Sequence, residues 1–437
     1  MPSPTIWSKC RHTAQRLIYS QASRQALRKL SSDSIAHLNM GEPTPAKLSA
    51  SLILLRPTQK QTPDGFDYQI LLVKRHESSS TFTNAHVFPG GNFDAVDRAS
   101  EWTSFIPNFA TRTDGDDIRG ATLSSLALCA VRETFEEAGV LIASASGNES
   151  KLVNVSARLS KGDKDEALSW RRKVHTDGSA FLELFHQLNN KSSTACAAGR
   201  IFPGISALCH HSHFVTPSMI KRRFDTHFFI GVLPQSSATS SDVDSFASAD
   251  GKEITEVQWM TPGEVVRLAT PSSESGVSAP TSSSAKSPSI LLFPPQMYIC
   301  AELSRFPTSA AVLQRFPPLG SSTASPRRNV IPFQPQAQNV VAKRETGEER
   351  LAIVLPGDPY HLATAEINPG DKSAAKRVHR IYVEASHSKS GPALRALMVE
   401  RIGMVEVLGK GWDDLQAGNL RISLQNEKPE QQYLSKM

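Results

Sequence analysis

The stretch "CAVRETFEEAGVLIA", residues 129–143, decides how this chain folds, because it joins an apolar stripe to a concentration of acid. With Glu133 set at zero on a wheel of about 100° per residue, Glu137 falls at about 40° and Glu136 at about 300°. Leu128, Val131, Phe135 and Ala138 fall between about 140° and 220°, on the opposite side. The pattern predicts an amphipathic helix over 122–138, ended by Gly139 and followed by a strand, "VLIA". Like charges four apart cost an isolated helix ~0.2–0.5 kcal/mol, so the clustered glutamates call for a compensating cation. A hard divalent ion is one answer, since Mg²⁺ prefers carboxylate oxygens and keeps several waters. The plainer answer is a solvated acidic face with Arg132 as an intrahelical partner.

Some forty residues upstream, "AHVFPGGNFD" (85–94) reads as a short strand running into a Pro-Gly-Gly turn. Gly90 and Gly91 carry no side chain, so their backbone can approach a metal ion or a phosphate closely. The alternative is a plain turn. Before it, "SASLILLRP" (49–57) and "DYQILLVKRH" (67–76) read as paired strands. After the helix, "LSWRRKVHTDGSAFLELFHQL" is helical in period and broken near Asp177-Gly178. "RRFDTHFFIGVLP" (222–234) and "EITEVQWM" (253–260) read as partner strands around a polar hairpin insertion, and Thr261-Pro262 opens a helix.

Arg132-Glu133-x-x-Glu136-Glu137-x-Gly139-Val140 resembles the second half of the Nudix box, G-x5-E-x7-R-E-U-x-E-E-x-G-U, with Thr134 at the first apolar position U. Counted from Gly91, the first-half acid falls at Asp97, where the pattern has Glu. The spacer of seven becomes residues 98–131, so the box is split by an insertion. Together with "LLVKRHESSSTFTNAHVFPGGNFDAVD", "RRFDTHFFIGVLP", "EVQWMTPGEVV" and "LLFPPQMYICAEL", the chain from about residue 45 to 305 is similar to the Nudix-19 branch of the Nudix hydrolases, the acyl-coenzyme A diphosphatases.

That resemblance implies an α/β/α sandwich around a mixed sheet. It implies Mg²⁺ or Mn²⁺ held by Glu133 and Glu137, with Glu136 a further ligand or a partner of Arg132. Arg132, Glu133 and Glu136 are the expected catalytic group. Arg75, Gly90, Gly91 and Arg223 are the expected substrate contacts, although for Arg75 and Arg223 a salt bridge is an equal alternative. The implied reaction converts an acyl-CoA to 3′,5′-ADP and acyl-4′-phosphopantetheine. Of the signature that marks many CoA-cleaving relatives, only Arg75 and the FPGG portion are present. Hydrolysis of NADH or a nucleotide sugar, or non-catalytic nucleotide binding, are the alternatives. The zinc-binding cysteines and the "SQPWPFPxS" element of many NADH-cleaving relatives are absent.

Composition bounds the remainder. At 437 residues the chain exceeds an average domain. Its net charge of +6 suits a polyanionic small molecule. Basic residues do not interleave with aromatics in a long patch, so no nucleic-acid surface is expected. No apolar run approaches the ~18 residues of a membrane span. Cys10, Cys129, Cys196, Cys209 and Cys300 form no CxxC pair, which argues against a zinc ribbon or a disulfide framework; Cys129 reads as a small buried hydrophobe. The histidines show no ligand spacing, and His210-His211-His213 reads as loop. Oligomeric state is not encoded in any pattern here.

The expected organisation is a basic segment at 1–40, a hydrolase domain at 45–305 with inserted loops at 92–120, 234–250 and 270–289, a Pro/Ser-rich linker at 306–345, and a small strand-and-helix appendage at 346–437. Residues 1–32 lack acids and carry Lys9, Arg11, Arg16, Arg24, Arg28 and Lys29, the composition of a mitochondrial transit peptide. Ser435-Lys436-Met437 is a variant of the peroxisomal tripeptide, the alternative address.

Overall fold

The structure is a computed structural model that describes residues 44–77, 84–106, 121–145, 148–156, 164–191, 200–217, 222–235, 247–249, 253–270, 290–320, 332–343, 349–358, 378–388, 391–402 and 420–421, with a few single positions between them. Both expected targeting segments lie outside the described residues. Contacts divide the chain into two units, Met1–Pro45 and Ala46–Met437, and all the described strands and helices belong to the second. No described helix is long and apolar enough to cross a membrane.

The centre of the fold is strand β1 (Lys47–Pro57), buried from Ser49 to Leu55. Leu52 and Leu54 point into one core and Ile53 and Leu55 into another, so this strand is covered on both faces, which is why its sequence is a near-continuous apolar run. Strand β2 (Tyr68–Arg75) pairs antiparallel with its far end, Leu55 opposite Ile70. Two short strands, β3 (His86–Val87) and β4 (Gly90–Asn92), pair antiparallel with β2 and β1 respectively, with Ala50 opposite Gly91 and Ser51 opposite Gly90.

Helix α1 (Leu123–Ala138) follows the insertion. The Thr122 hydroxyl accepts from Ser125 N–H and the Ser125 hydroxyl accepts from Thr122 N–H, a reciprocal cap that satisfies two first-turn donors. Gly139 ends the helix in the left-handed region, φ 72°, where a Cβ would be strained. Strands β5 (Ile142–Ala145) and β6 (Asn148–Asn154), helices α2 (Lys164–Thr176) and α3 (Ala180–Lys191), and strand β7 (Ile201–Pro203) come next; β6, β5 and β7 form a small antiparallel sheet. Strands β8 (Cys209–Val215), β9 (Phe224–Val232) and β10 (Ile254–Met260) return to the large sheet, followed by helices α4 (Pro262–Ala269), α5 (Pro294–Leu303) and α6 (Ser309–Arg315) and strand β11 (Pro332–Phe333).

The large sheet runs β10-β2-β1-β9-β8-β11 and is mixed, with β1/β9 and β8/β11 parallel and the other pairs antiparallel. Phe135 of α1, Trp170 of α2, and Phe181 and Phe185 of α3 pack with Leu52 and Leu54; Val265 of α4 and Met297 and Tyr298 of α5 pack with Ile53 and Leu55. Each fully buried large apolar side chain contributes roughly 1.5–3 kcal/mol, so both faces hold the sheet. This is the expected α/β/α sandwich around a mixed sheet.

Several expectations are corrected. β10 does not form a hairpin with β9: both edges of β9 are taken, by β1 and β8, and β10 pairs with β2 instead. His210, His211 and His213 lie in strand β8, not a loop. Within the 92–120 insertion, Ala95–Arg98 and Ser100–Ser104 are 3₁₀ turns, and Trp102, Phe105, Ile106 and Phe109 are buried in the α1 core. The expected 306–345 linker contains α6 and β11, anchored by buried Val312, Phe316 and Phe333.

Starting inside that segment, β12 (Gln336–Lys343), β13 (Glu349–Val354), β14 (Val378–Ser388), β15 (Gly391–Ile402) and β16 (Leu420–Arg421) form a five-stranded antiparallel sheet, with no helix among the described residues of 346–437. The apolar run at 394–402 is a ladder partner of β14, which overrides its helical propensity. Nor is this sheet a separate appendage: Ile353, Ile381 and Val383 share the α5 core, and the Tyr298 hydroxyl meets His379 Nε2 at 3.0 Å.

Candidate active site

Helix α1 and strand β4 meet because β4 is pinned to β1, and α1 lies across β1. The glycines make that approach possible. A Cβ on Gly91 would lie 2.4 Å from Glu133 Oε2, and one on Gly90 would lie 2.1 Å from Ser51 Oγ. The Gly90 N–H donates to Glu137 Oε2 at 2.9 Å. The expectation that these glycines expose backbone thus takes a definite form: one faces Glu133, and the other holds Glu137.

Arg132 organises the rest. Its Nε and Nη2 donate to the two oxygens of Asp97 at 2.8 and 2.9 Å, a bidentate pair between two buried side chains. Nη1 reaches Glu133 Oε1 at 2.9 Å and Glu136 Oε1 at 2.6 Å, and Nη2 also donates to the Asn92 carbonyl at 3.0 Å. Asp97 Oδ2 in turn accepts from the Asp94 N–H, the cap of its own 3₁₀ turn. The two halves separated in sequence by 98–131 are therefore joined in space, with Asp97 as the joint.

The three glutamates are divided by their partners. Glu136 has one oxygen on Arg132 and the other 3.3 Å from His175 Nδ1. Glu137 meets Gly90 N–H and, at 3.3 Å, Arg75 Nη1. Glu133 faces Gly91 and retains 13% of its side chain exposed. Burial pushes its carboxyl up to about 8, opposed by Arg132 and reinforced by Glu136, Glu137 and Asp97. Arg132 is also raised: burial lowers it, but hydrogen bonding to Asp97 and the Glu133 charge outweigh that and hold the guanidinium protonated. Cys129, with its thiol also raised far above the ordinary range by burial, fills the space beneath β4, its sulfur 3.5 Å from the Asn92 carbonyl.

Several contributors have no signature in the motif. Arg171 of α2 donates Nε to the Glu136 carbonyl at 2.5 Å and Nη2 to the Glu137 carbonyl, and its Nη1 reaches the Ser248 carbonyl at 2.8 Å. It thereby places a cation at the negative end of α1. Arg171 and His175 are four apart on α2, one face by helical spacing, which is the signal that could have found them. Glu253 lies 3.6 Å from Arg75 Nη2. Gly178, between α2 and α3, comes against Val96 and Arg132.

Among the expected substrate contacts, Arg75 is at the site but engaged with carboxylates. Arg223 donates its Nε to the Thr216 carbonyl at 3.0 Å, at the turn between β8 and β9. Trp259 of β10 packs partly buried against the α1 core, with the Arg56 guanidinium 4.5 Å from its ring centroid.

The family described as "NUDT19 Nudix domain" matches residues 46–122 and 107–305. Curated relatives include the acyl-coenzyme A diphosphatase NUDT19 of Xenopus laevis, 30% identical over 265 residues (55% of this chain, 60% of the relative). That of Gallus gallus is 28% identical over 270 residues (55% and 62%), and that of Homo sapiens is 27% identical over 354 residues (75% and 81%). The matched region thus spans about three fifths of the first two relatives. Among solved structures, a NUDIX hydrolase from Alicyclobacillus acidocaldarius is similar at 16% identity and a TM-score of 0.41, covering 62% of this chain and 96% of that one.

Proposed function

Because the chain belongs to the NUDT19 Nudix domain family, we propose that it hydrolyses the diphosphate bond of an acyl-coenzyme A, releasing 3′,5′-ADP and acyl-4′-phosphopantetheine. The observation that carries this reading is the closure of the split motif, with Asp97 bonded to Arg132 at 2.8 and 2.9 Å and the glycine turn seated against Glu133 and Glu137.

The residues suit a divalent cation. Glu133 is a carboxyl crowded by acids and pushed up to about 8, so its negative charge calls for either a proton or a bound cation in the proton's place. Glu133 and Glu137 would hold Mg²⁺ or Mn²⁺, which when bound neutralises diphosphate oxygens and acidifies a water. The protein's own groups then have distinct tasks. Arg132 fixes the Glu133 head group against Gly91. Gly90 N–H fixes Glu137. Arg75, released from Glu137, is within reach of an anionic substrate group. One water and one phosphoanhydride give two monophosphates, and the water's proton must pass to a carboxylate; α1 supplies such acids, and Glu253, on the loop before β10, is another beside Arg75.

The test is purified full-length protein with Mg²⁺ and a panel of an acyl-CoA, CoA, NADH and ADP-ribose. 3′,5′-ADP release from the CoA compounds is expected, with Glu137→Gln folded by circular dichroism but inactive. Cleavage confined to NADH or ADP-ribose would remove the substrate assignment. Nucleotide binding without turnover of any compound would remove the enzymatic one.

A further inference from the structure

We propose that His213, Asp225 and His227 form a second metal site, one for a divalent transition ion of the zinc class, on the sheet face that carries α1. Their ligand atoms lie within 4.8 Å of one another, a grouping that no other three His, Cys, Asp or Glu side chains reach among the described residues.

The backbone explains the convergence. Asp225 and His227 are two apart in β9 and so share a face. His213 stands opposite His227 in the antiparallel β8–β9 register. His210 would face away from His213 in a regular strand, but the register shifts between His210 and Ser212 and brings it to the same side, stacked on His227 at 5.1 Å between ring centroids. His227 is in register with Ala50, a member of the α1 core, and Ala50 is in register with Gly91. The cluster therefore lies two strands from the glycine turn, about 10 Å across the sheet.

The donor set argues for a metal of different preference from the glutamate site. Both imidazole Nε2 atoms face one oxygen, Asp225 Oδ1: His213 in a short contact and His227 at 3.9 Å. Two imidazoles and a carboxylate match Zn²⁺, with further positions left for water, whereas Mg²⁺ favours oxygen donors. A tetrahedral ion with bonds of ~2.0–2.1 Å sets donors about 3.3 Å apart, so small side-chain rotations suffice. His227 Nδ1, the nitrogen turned away from Asp225, meets His210 Nε2 at 3.1 Å, the outer partner that fixes a ligand imidazole's tautomer and direction. Access exists as well. His213 and Asp225 each keep 13% of their side chains exposed, and Leu48, in register with Asp225, lines a cleft of about 280 Å³ with Phe93, Ala95 and Arg98.

The test is Zn²⁺ titration of metal-stripped full-length protein by calorimetry in excess Mg²⁺, with Co²⁺ visible absorption as a second reading. One Zn²⁺ per chain is expected, with Glu137→Gln unchanged. His213→Gln and Asp225→Asn, both at partly exposed positions and checked for fold by circular dichroism, should lose more than about 100-fold in affinity, and His210→Gln about 10–100-fold, as removal of an outer partner does. The proposal is overturned if no Zn²⁺ binds, if His213→Gln and Asp225→Asn bind it as tightly as the parent, or if Glu137→Gln alone abolishes binding.

Discussion

Replacing Gly91 by alanine isolates what the glycine turn does. Gly91 is not one of the glycines at positive φ, so alanine can adopt its backbone and the effect is one of space alone. The added Cβ would sit 2.4 Å from Glu133 Oε2, 2.5 Å from Cδ and 2.6 Å from Oε1, where ordinary contact begins at 3.4 Å. All three carboxylate atoms are too close, so turning the head group does not relieve the clash, and it must retreat by about 1 Å. A displacement of that size at a reacting centre costs about 10²-fold in rate, or ~2.7 kcal/mol of barrier. Global stability should change little, because reduced freedom of the unfolded chain returns ~0.4–1 kcal/mol against the moved carboxylate. Steady-state kinetics of 3′,5′-ADP release at saturating Mg²⁺ should therefore show kcat reduced about 100-fold at a nearly unchanged melting temperature. In a Glu133→Asp background, whose head group is one methylene shorter, the same change should cost far less, a non-additivity that a merely unfolded variant would not show. Activity within a factor of a few of the parent would refute the claim that Gly91 positions Glu133.

Arg132→Met should destabilise the protein by ~3–5 kcal/mol, since it strands the buried Asp97 and Glu136 carboxylates; an unchanged urea midpoint at pH 7 would remove Arg132 from the role of joint. Glu133 supplies a pH signature. Its folded carboxyl is raised from 4.5 to about 8, so the folded state holds a proton that the unfolded chain has released, and this group's contribution to stability falls as pH rises through that window. A divalent cation replaces the proton, so the Mg²⁺-induced rise in melting temperature should be larger at pH 8 than at pH 6, and equal increments would contradict the assignment. Arg171→Met should free the Glu136 and Glu137 carbonyls and cost ~1.5–3 kcal/mol by chemical denaturation, with hydrogen exchange increased at the end of α1 before the rest of the helix.

The parts of this structure legible in the sequence are those set by local rules. Gly139 ends α1 because capping chemistry is local, and the break at Asp177-Gly178 separates α2 from α3 for the same reason. What sequence reading misses is pairing across distance. The alternation in 253–260 identifies a strand but not its neighbour, and β10 chooses β2 over β9 because β9 has no open edge. At the site, the motif marks Glu133, Glu136 and Glu137 but not how they divide, since that depends on His175 and Arg75, which arrive from other elements. The histidines read as loop because His213 and His227 converge only through the pairing of β8 with β9, and His210 joins them only through a register shift in β8, neither of which leaves a linear spacing.

Why a motif can be opened by a long insertion and still close comes down to two magnitudes. The spacer grows from the family's seven residues to those at 98–131, and loop-closure entropy scales with the logarithm of length, so the expansion costs only about 1.4 kcal/mol. Losing one partner of a buried, bidentate Arg–carboxylate pair costs ~3–5 kcal/mol, which makes closure by Asp97 and Arg132 the stronger effect. The insertion also helps to hold itself down. Trp102 is fully buried, packs against Phe181 and Phe185 of α3, and donates its indole N–H to the Val96 carbonyl at 2.8 Å, one residue from Asp97. That anchor restrains the turn bearing Asp97 from the side where the long loop departs. Asp97 can also serve where the pattern has the longer Glu, because its turn is drawn onto Arg132 from both ends, by the Asp94 cap and by Trp102.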